Sequence, residues 1–325
     1  MTGQAILSLQ NVCMQFPLRS GPFGRIVGHT AVLNNVSIDL FQGEVLGLLG
    51  ESGSGKTTLG RVMLGLLEPT AGLVRFRGEE VGAMSKAMRA MFRRKAQLIF
   101  QDPLSALNPT MSVEDVVTEP MRIQRRLPRS LKRSTAEALL GSVSLDPSLV
   151  ARRPSELSGG QRQRVVIARA LSIEPDFVVA DEPVSSLDVS IQAQILELLS
   201  ALRRSMQLTM MFISHDIAVV RYVADRIAVM YRGTIVEIGR AATLISDPIH
   251  PYTQMLLASA PDLRDEWGTS EAPEIRSFQD PPRAGNRSGC VFEHRCPHAL
   301  PSCRSVVPRL RDVGRGHSHA CSIRN

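Results

Sequence analysis

The sequence predicts an α/β fold built on a mostly parallel sheet. Three observations carry this reading. Short apolar runs of buried-strand type recur along the chain, helical patterns lie between them, and one such run leads through a Gly/Ser-rich turn straight into a helix.

Near the N-terminus, apolar positions alternate at Ile6, Leu9 and Val12, and again at Val36, Ile38 and Leu40, so both stretches read as strands with one face covered. They form an antiparallel N-terminal β portion, and the Gly-, Pro- and Arg-rich segment Pro17 to Gly28 between them reads as a loop. Glu44 to Leu49 is nearly continuous in apolar residues, as a buried parallel strand should be. A helix is expected from Lys56 to Leu67, stopping before Pro69. Further buried strands are expected at Phe177 to Ala180, Thr209 to Ile213 and Arg226 to Tyr231, with the clearest helix at Val189 to Arg204. Residues 104–169 hold no convincing strand and read as a helical insertion. After Pro261 periodicity stops, and Asp, Pro, Arg, Gly and Cys dominate. The expected division is therefore an α/β domain at 1–260 and a small Cys-rich extension at 261–325. No internal repeat is visible.

Composition narrows the function classes. With 325 residues, 43% hydrophobic and 21% charged, the chain has ample material for a core and is not of disordered type. Aromatic residues are only 4%, too few for a protein that stacks bases along a single strand. The net charge of +7 fits an anionic ligand, acidic lipid or nucleic acid and chooses none of them. Basic runs at Arg89 to Lys95 and Arg122 to Arg133 read as solvated helix faces. No apolar run approaches the roughly 18 residues of a membrane span. The start, MTGQAILSLQ, lacks the basic-then-apolar order of a secretory signal, so a cytoplasmic chain is expected.

Chemistry concentrates in two places. Gly50-Glu51-Ser52-Gly53-Ser54-Gly55-Lys56-Thr57 matches G-x-x-x-x-G-K-[ST] between a buried strand and a helix. In that setting glycines curl the backbone around phosphate, Lys56 reaches the outer phosphates, and the Thr57 hydroxyl ligates Mg²⁺. Downstream, Phe177 to Ala180 delivers Asp181 and Glu182 at a strand's C-terminal end, where ligands of open α/β sheets sit. Asp181 would hold the metal through water, and Glu182 would orient and deprotonate the attacking water.

A third segment joins these two. Leu157-Ser158-Gly159-Gly160-Gln161 opens a helix, with Ser158 placed as a cap and two glycines offering a second anion-receiving surface. With Gln101 in Phe100-Gln101-Asp102, Ser185-Ser186-Leu187-Asp188, and His215 in Ile213-Ser214-His215-Asp216, the set resembles the ATP-binding cassette family over residues 50–216. The resemblance implies a P-loop NTPase cassette that hydrolyses ATP with Mg²⁺. It implies a head-to-tail dimer with a second such ATPase, two nucleotides lying between the subunits. Thr58 would then join Gly50 to Thr57 in holding phosphate, and Ser158 to Gln161 would close over the partner's nucleotide. Gln101 would contact the metal and γ-phosphate and relay to a membrane partner. His215 would contact the same phosphate, Asp188 would link the two sites, and Phe16 would stack on adenine. Without the motif His215 reads better as a satisfied core histidine, and the lesser reading of Phe16 is an ordinary core Phe at a strand end.

Three segments outside those motifs narrow the resemblance: Asp102-Pro103-Leu104-Ser105-Ala106-Leu107-Asn108-Pro109, His250-Pro251-Tyr252-Thr253-Gln254, and a tail with Gly289-Cys290-Val291-Phe292 and Arg295-Cys296-Pro297. They look like the ATPase subunits of bacterial dipeptide and oligopeptide importers. That likeness implies two transmembrane permeases, an extracytoplasmic solute-binding protein, and a peripheral place on the cytoplasmic face of the inner membrane. Nickel, glycoside and opine importers use similar cassettes. A soluble cassette ATPase working on DNA or ribosomes is the competing class. It would carry a coiled-coil insertion or tandem cassettes, whereas Lys56 and Asp181 lie 125 residues apart with no heptad run between them. No nucleic-acid partner is expected.

The cysteines are placed unevenly. Cys13 stands alone, while Cys290, Cys296, Cys303 and Cys321 are separated by five, six and seventeen residues. In a reducing compartment this clustering points to a metal or cluster before disulfides. Structural zinc sites favour C-x₂₋₄-C knuckles, absent here, whereas iron–sulfur clusters accept more varied spacing. The same tail in similar importer ATPases is associated with a [4Fe–4S] cluster. Zinc, with help from His294, His298, His317 or His319, and unligated thiols are the alternatives.

Overall fold

The computed structural model describes residues 5–21, 24–124, 126–259 and 289–323. The first part of the extension expected at 261–325 lies outside them. The chain forms two compact units, one made of Met1–Met84 with Ile213–Asn325 and the other of Ser85–Phe212.

The first unit opens on β1 (Ala5–Ser20), β2 (Arg25–Phe41), β3 (Val45–Leu49), α1 (Lys56–Met63), β4 (Ala71–Phe76) and β5 (Glu79–Glu80). β2, β1, β4 and β5 pair in that order as an antiparallel sheet. Leu7, Leu9 and Val12 of β1 and Leu33, Val36 and Leu40 of β2 are buried, so one face is covered as the alternation required. The loop expected at Pro17 to Gly28 is instead mostly hairpin, with Pro17 opposite His29 and Ser20 opposite Arg25. Its side chains are mostly exposed, so no apolar alternation marked it. Pro17 is tolerated because β4 pairs with β1 only as far as Cys13 opposite Ala71, leaving the other edge unpaired there. The helix after the Gly-rich turn is also shorter than expected. Gly65, at φ 63°, ends it, with Gly65 N–H bonding the Val62 carbonyl and Leu66 N–H the Arg61 carbonyl.

The second unit runs α2 (Lys86–Lys95), β6 (Ala96–Ile99), α3 (Pro103–Ala106), α4 (Val113–Ile123), α5 (Lys132–Ser142), α6 (Gly159–Leu171), β7 (Phe177–Asp181), α7 (Val189–Met206) and β8 (Thr209–Ser214). The unit boundary falls inside β8. β6 and β7 are parallel, from Ala96 opposite Phe177 to Ile99 opposite Ala180. Among the described residues, 104–169 contain no strand, as expected of the helical insertion. Val113, Val117, Leu140, Val165 and Ile167 form its apolar centre, and Arg169 pairs with Glu119 at 2.8 Å beside it. Of the basic run on α2, only Phe92 is buried, so the charges do form a solvated face.

The first unit resumes with α8 (Ile217–Val223), β9 (Arg226–Tyr231), β10 (Thr234–Arg240), α9 (Ala241–Ser246), α10 (Pro251–Ala258), β11 (Arg311–Asp312) and β12 (Ser318–His319). Its second sheet has the order β11-β12-β10-β9-β3, with β3 and β9 parallel and the rest antiparallel. β10 carries Glu237, fully buried, whose carboxylate accepts the N–H groups of Ile249 (2.8 Å) and His250 (2.9 Å) and bonds His317 Nε2 at 2.7 Å. Burial pushes its pKa up, but the His317 bond and the N–H donors outweigh this and leave it below the usual carboxylate value.

α8 packs on β3 at Gly47. A Cβ there would stand 2.3 Å from Val220 Cγ1 and 3.1 Å from Ala224 Cβ. Gly47→Ala is therefore expected to destabilise the protein by about 1–3 kcal/mol through overpacking, read as a lowered urea midpoint at unchanged slope.

Candidate active site

Each unit contributes its own group of candidate residues. In the first, β3 ends at Leu49 and the chain turns at Gly50, where a Cβ would meet the Met230 carbonyl oxygen at 2.2 Å; only glycine fits. Lys56, the first residue of α1 and 5% exposed, donates Nζ to the carbonyls of Gly50 (2.7 Å) and Glu51 (2.9 Å). The Ser54 carbonyl accepts Gly233 N–H at 2.7 Å. With these carbonyls bonded, an incoming anion meets N–H dipoles at a helix start. The Ser54 hydroxyl is buried without a hydrogen-bond partner, a polar atom suited to a ligand such as phosphate. Ser52 and Gly53 are exposed, and Thr57 and Thr58 are half-buried in the first turn of α1.

In the second unit, the register of β6 against β7 sets the residues after the two strands side by side. Asp181 is 8% exposed at the end of β7, and Glu182 comes next at φ 45°, a left-handed conformation that costs a non-glycine residue about 1 kcal/mol or more. Gln101 Nε2 donates to Glu182 Oε2 at 3.1 Å. Asp102 then caps α3, accepting the N–H groups of Leu104 and Ser105 at 2.9 and 3.3 Å. Two residues 81 positions apart, singled out separately in the sequence, are thus in contact.

The Ser158 segment forms a capping box. Ser158 Oγ accepts Gln161 N–H at 3.3 Å, and Gln161 Oε1 accepts Ser158 N–H at 2.9 Å, so both side chains serve the helix start of α6. Gly159 and Gly160 are half-buried in its first turn, and Asp188 is exposed ahead of α7. His215 is exposed between β8 and α8, and Phe16 is 37% exposed on β1. Neither is a core residue.

The four tail cysteines converge. Cys290, Cys296, Cys303 and Cys321 line one small cavity with His250 and Phe292, and Cys290 N–H bonds the Cys303 carbonyl at 2.7 Å. Burial, with the neighbouring thiols adding to it, pushes the Cys290 pKa up to about 11 and raises that of Cys296. Among the described residues, no three His, Cys, Asp or Glu side chains are arranged to hold a single metal ion. Three of the four histidines offered for zinc bond other groups: His317 with Glu237, His294 with Glu293 at 3.1 Å, and His319 Nδ1 with Cys321 N–H at 3.3 Å. Sequence reasoning named Arg295 only within Arg295-Cys296-Pro297 and missed its contact, a guanidinium bonding the Glu51 carboxylate 244 positions away. No local pattern announces such a pair.

A Gly-rich loop between a parallel strand and a helix, with an Asp-Glu pair at the end of another strand, is the arrangement of a phosphate-loop ATPase. A family model described as ABC transporter matches residues 33–185, and one described as Oligopeptide/dipeptide transporter, C-terminal region, matches 236–303. The chain is 41% identical over 321 residues to the oligopeptide transport ATP-binding protein AppF of Bacillus subtilis, covering 98% of each chain. The post-hydrolysis dimeric structure of the ATP-binding cassette MJ0796 bound to ADP and Pi aligns with a TM-score of 0.63. It is 28% identical and covers 72% of this chain and 98% of that one. CbiO1 of Clostridium perfringens, part of the ABC transporter complex cbiONQ, gives 0.64 at 26% identity, covering 75% and 91%. The chain belongs to the ABC transporter family, and it is an ATPase subunit of that family.

Proposed function

We propose that this subunit hydrolyses ATP to energise import of di- or oligopeptides. One observation carries the reading: the likeness to AppF runs through the cassette and on through the tail, over 98% of both chains. The partners are a second ATPase of the same type, two permeases and an extracytoplasmic solute-binding protein, with this chain peripheral on the cytoplasmic face of the membrane. Among the described residues no helix is long and apolar enough to cross a membrane.

The chemistry is assigned residue by residue. Gly50 to Thr58 hold the phosphates, with Lys56 as the point charge, and Phe16 stacks on the adenine. Glu182 takes a proton from water as its oxygen attacks the γ-phosphorus; the bond to the β-phosphate oxygen breaks, and ADP leaves. Gln101, bonded to the Glu182 carboxylate, orients that base and signals nucleotide state toward the permeases. His215 steadies the γ-phosphate, Ser158 to Gln161 serve the partner subunit's nucleotide, and Asp188 links the two sites. Thr57, Asp181 and Gln101 offer the hard oxygen donors that Mg²⁺ takes, and the ion when bound neutralises charge on the phosphates.

Four thiols around one cavity are the donor set that a [4Fe–4S] centre takes. Such a centre would tie together a tail with little core of its own. The cysteines would have to lose protons on loading, for Cys290 and Cys296 against a pKa raised by burial.

These assignments can be tested separately. Glu182→Gln should lower ATP hydrolysis by about 10²-fold or more while ATP still binds, whereas Lys56→Ala should lose binding itself; parental turnover in the Gln variant of the assembled transporter would remove Glu182 as base. Gln101→Ala should depress peptide uptake into vesicles more than nucleotide affinity, and equal losses would confine Gln101 to the nucleotide. Protein prepared without oxygen should be brown, with about four iron and four sulfide per chain. A colourless preparation with one zinc or no metal would end the cluster assignment alone.

A further inference from the structure

We propose that Arg295, in the C-terminal tail, is a positioning residue of the phosphate loop. It neutralises Glu51 and fixes that part of the loop for nucleotide binding. The proposal rests on reading Gly50 to Thr57 as the phosphate loop, and it makes the tail a working part of that loop.

Glu51 is the second residue of the loop and is anchored twice from distant sequence. Arg295 Nη1 and Nη2 each donate to one of its carboxylate oxygens at 2.9 Å, a bidentate fork. Its own N–H donates to Tyr252 Oη at 3.0 Å. The fork is itself seated. The guanidinium lies 5.8 Å from the Tyr231 ring centre and 5.9 Å from that of Phe292, with Nη2 3.5 Å from Met255 Sδ. Tyr231, Tyr252 and Phe292 are buried against one another, with ring centres 4.5 to 5.4 Å apart. Arg295 is 16% exposed and Glu51 37%.

Charge explains why the fork matters. A loop that receives a polyanion gains from Lys56 and loses from any bare carboxylate within it. Glu51 is such a carboxylate, and Arg295 cancels its charge while leaving the backbone N–H groups to act on phosphate. Losing Arg295 both frees the loop at residue 51 and uncovers a negative charge there. Those two effects have different signatures. Removing the carboxylate as well abolishes the repulsion, but it does nothing for a tail that merely fails to dock.

The test is ATP binding by the full-length chain, read with a fluorescent ATP analogue, and the KM for ATP in the assembled transporter. Arg295→Gln should weaken binding and raise KM by about ten-fold with kcat changed by less than about two-fold. Adding Glu51→Gln to it should recover most of the loss, a non-additive cycle expected only of groups in contact. Arg295→Lys, which keeps the charge and loses the fork, should fall between parental and Arg295→Gln, and it carries the test if the Gln variant does not fold. Parental affinity in Arg295→Gln, or a double variant no better than the single one, would overturn the proposal. Lys56→Ala serves as the reference. If it binds nucleotide as the parental chain does, the loop assignment falls and takes this inference with it.

Discussion

A loop that presents its N–H groups to an anion must have its carbonyls satisfied elsewhere, and in this chain that need organises the first unit. The Gly50 and Glu51 carbonyls are taken by Lys56, which the loop itself supplies. The Ser54 carbonyl is taken by Gly233, in the turn between β9 and β10, and that residue's own carbonyl accepts Asn34 N–H from β2 at 2.8 Å. Asn34 also donates its side-chain amide to the Arg232 carbonyl at 3.2 Å. The antiparallel sheet, the β9–β10 turn and the loop are therefore linked by one run of hydrogen bonds. The glycine at position 50 is a consequence of this closeness, since the Met230 carbonyl occupies the space a side chain would need.

In the second unit the corresponding constraint is strand register. Parallel pairing of β6 with β7 brings two C-terminal ends level, so the residues after each strand emerge at one edge. Glu182 leaves that edge in a left-handed conformation costing about 1–3 kcal/mol, which the fully buried run Phe177–Asp181 holds in place. A residue kept in such a conformation between a buried strand and a loop has its carboxylate aimed by the backbone. The Gln101 bond then fixes it from a second side. Strain and hydrogen bonding act on the same side chain, the combination expected where position matters more than stability.

Sequence pattern revealed most of this because the main elements obey strong local rules. The buried runs at β3, β7, β8 and β9 are short and apolar, and the phosphate loop stands between a strand and a helix as its motif demands. The features that escaped did so for physical reasons. The outer hairpin at Pro17 to Gly28 has little buried face to produce an alternation. β6 has only four residues, and β10 interrupts its apolar run with Glu237, an acid buried because several donors surround it. The Gln101–Glu182 bond was implicit in two motifs but depended on register, which no single segment encodes. Arg295 stood in the sequence only as part of the Arg295-Cys296-Pro297 segment, and its pairing arises from a contact across 244 positions that no local pattern encodes.

That last contact bears on how so poor a segment stays folded. Beyond the cysteines, the described part of the tail buries few apolar side chains, chiefly Phe292 and Ala320. Hydrophobic burial alone is weak support for a piece of that size. Polar contacts add to it among the described residues: β12 pairs with β10, His317 bonds Glu237, and Arg295 bonds Glu51. In the two side-chain attachments the acid belongs to the cassette and the nitrogen donor or acceptor to the tail. Tail order and loop order therefore share a contact, since the group that anchors the tail at residue 295 is also the one that anchors the loop at residue 51. Cys296 comes directly after it in the chain and lines the thiol cavity, so whatever fixes the four cysteines also fixes the backbone from which Arg295 reaches the loop.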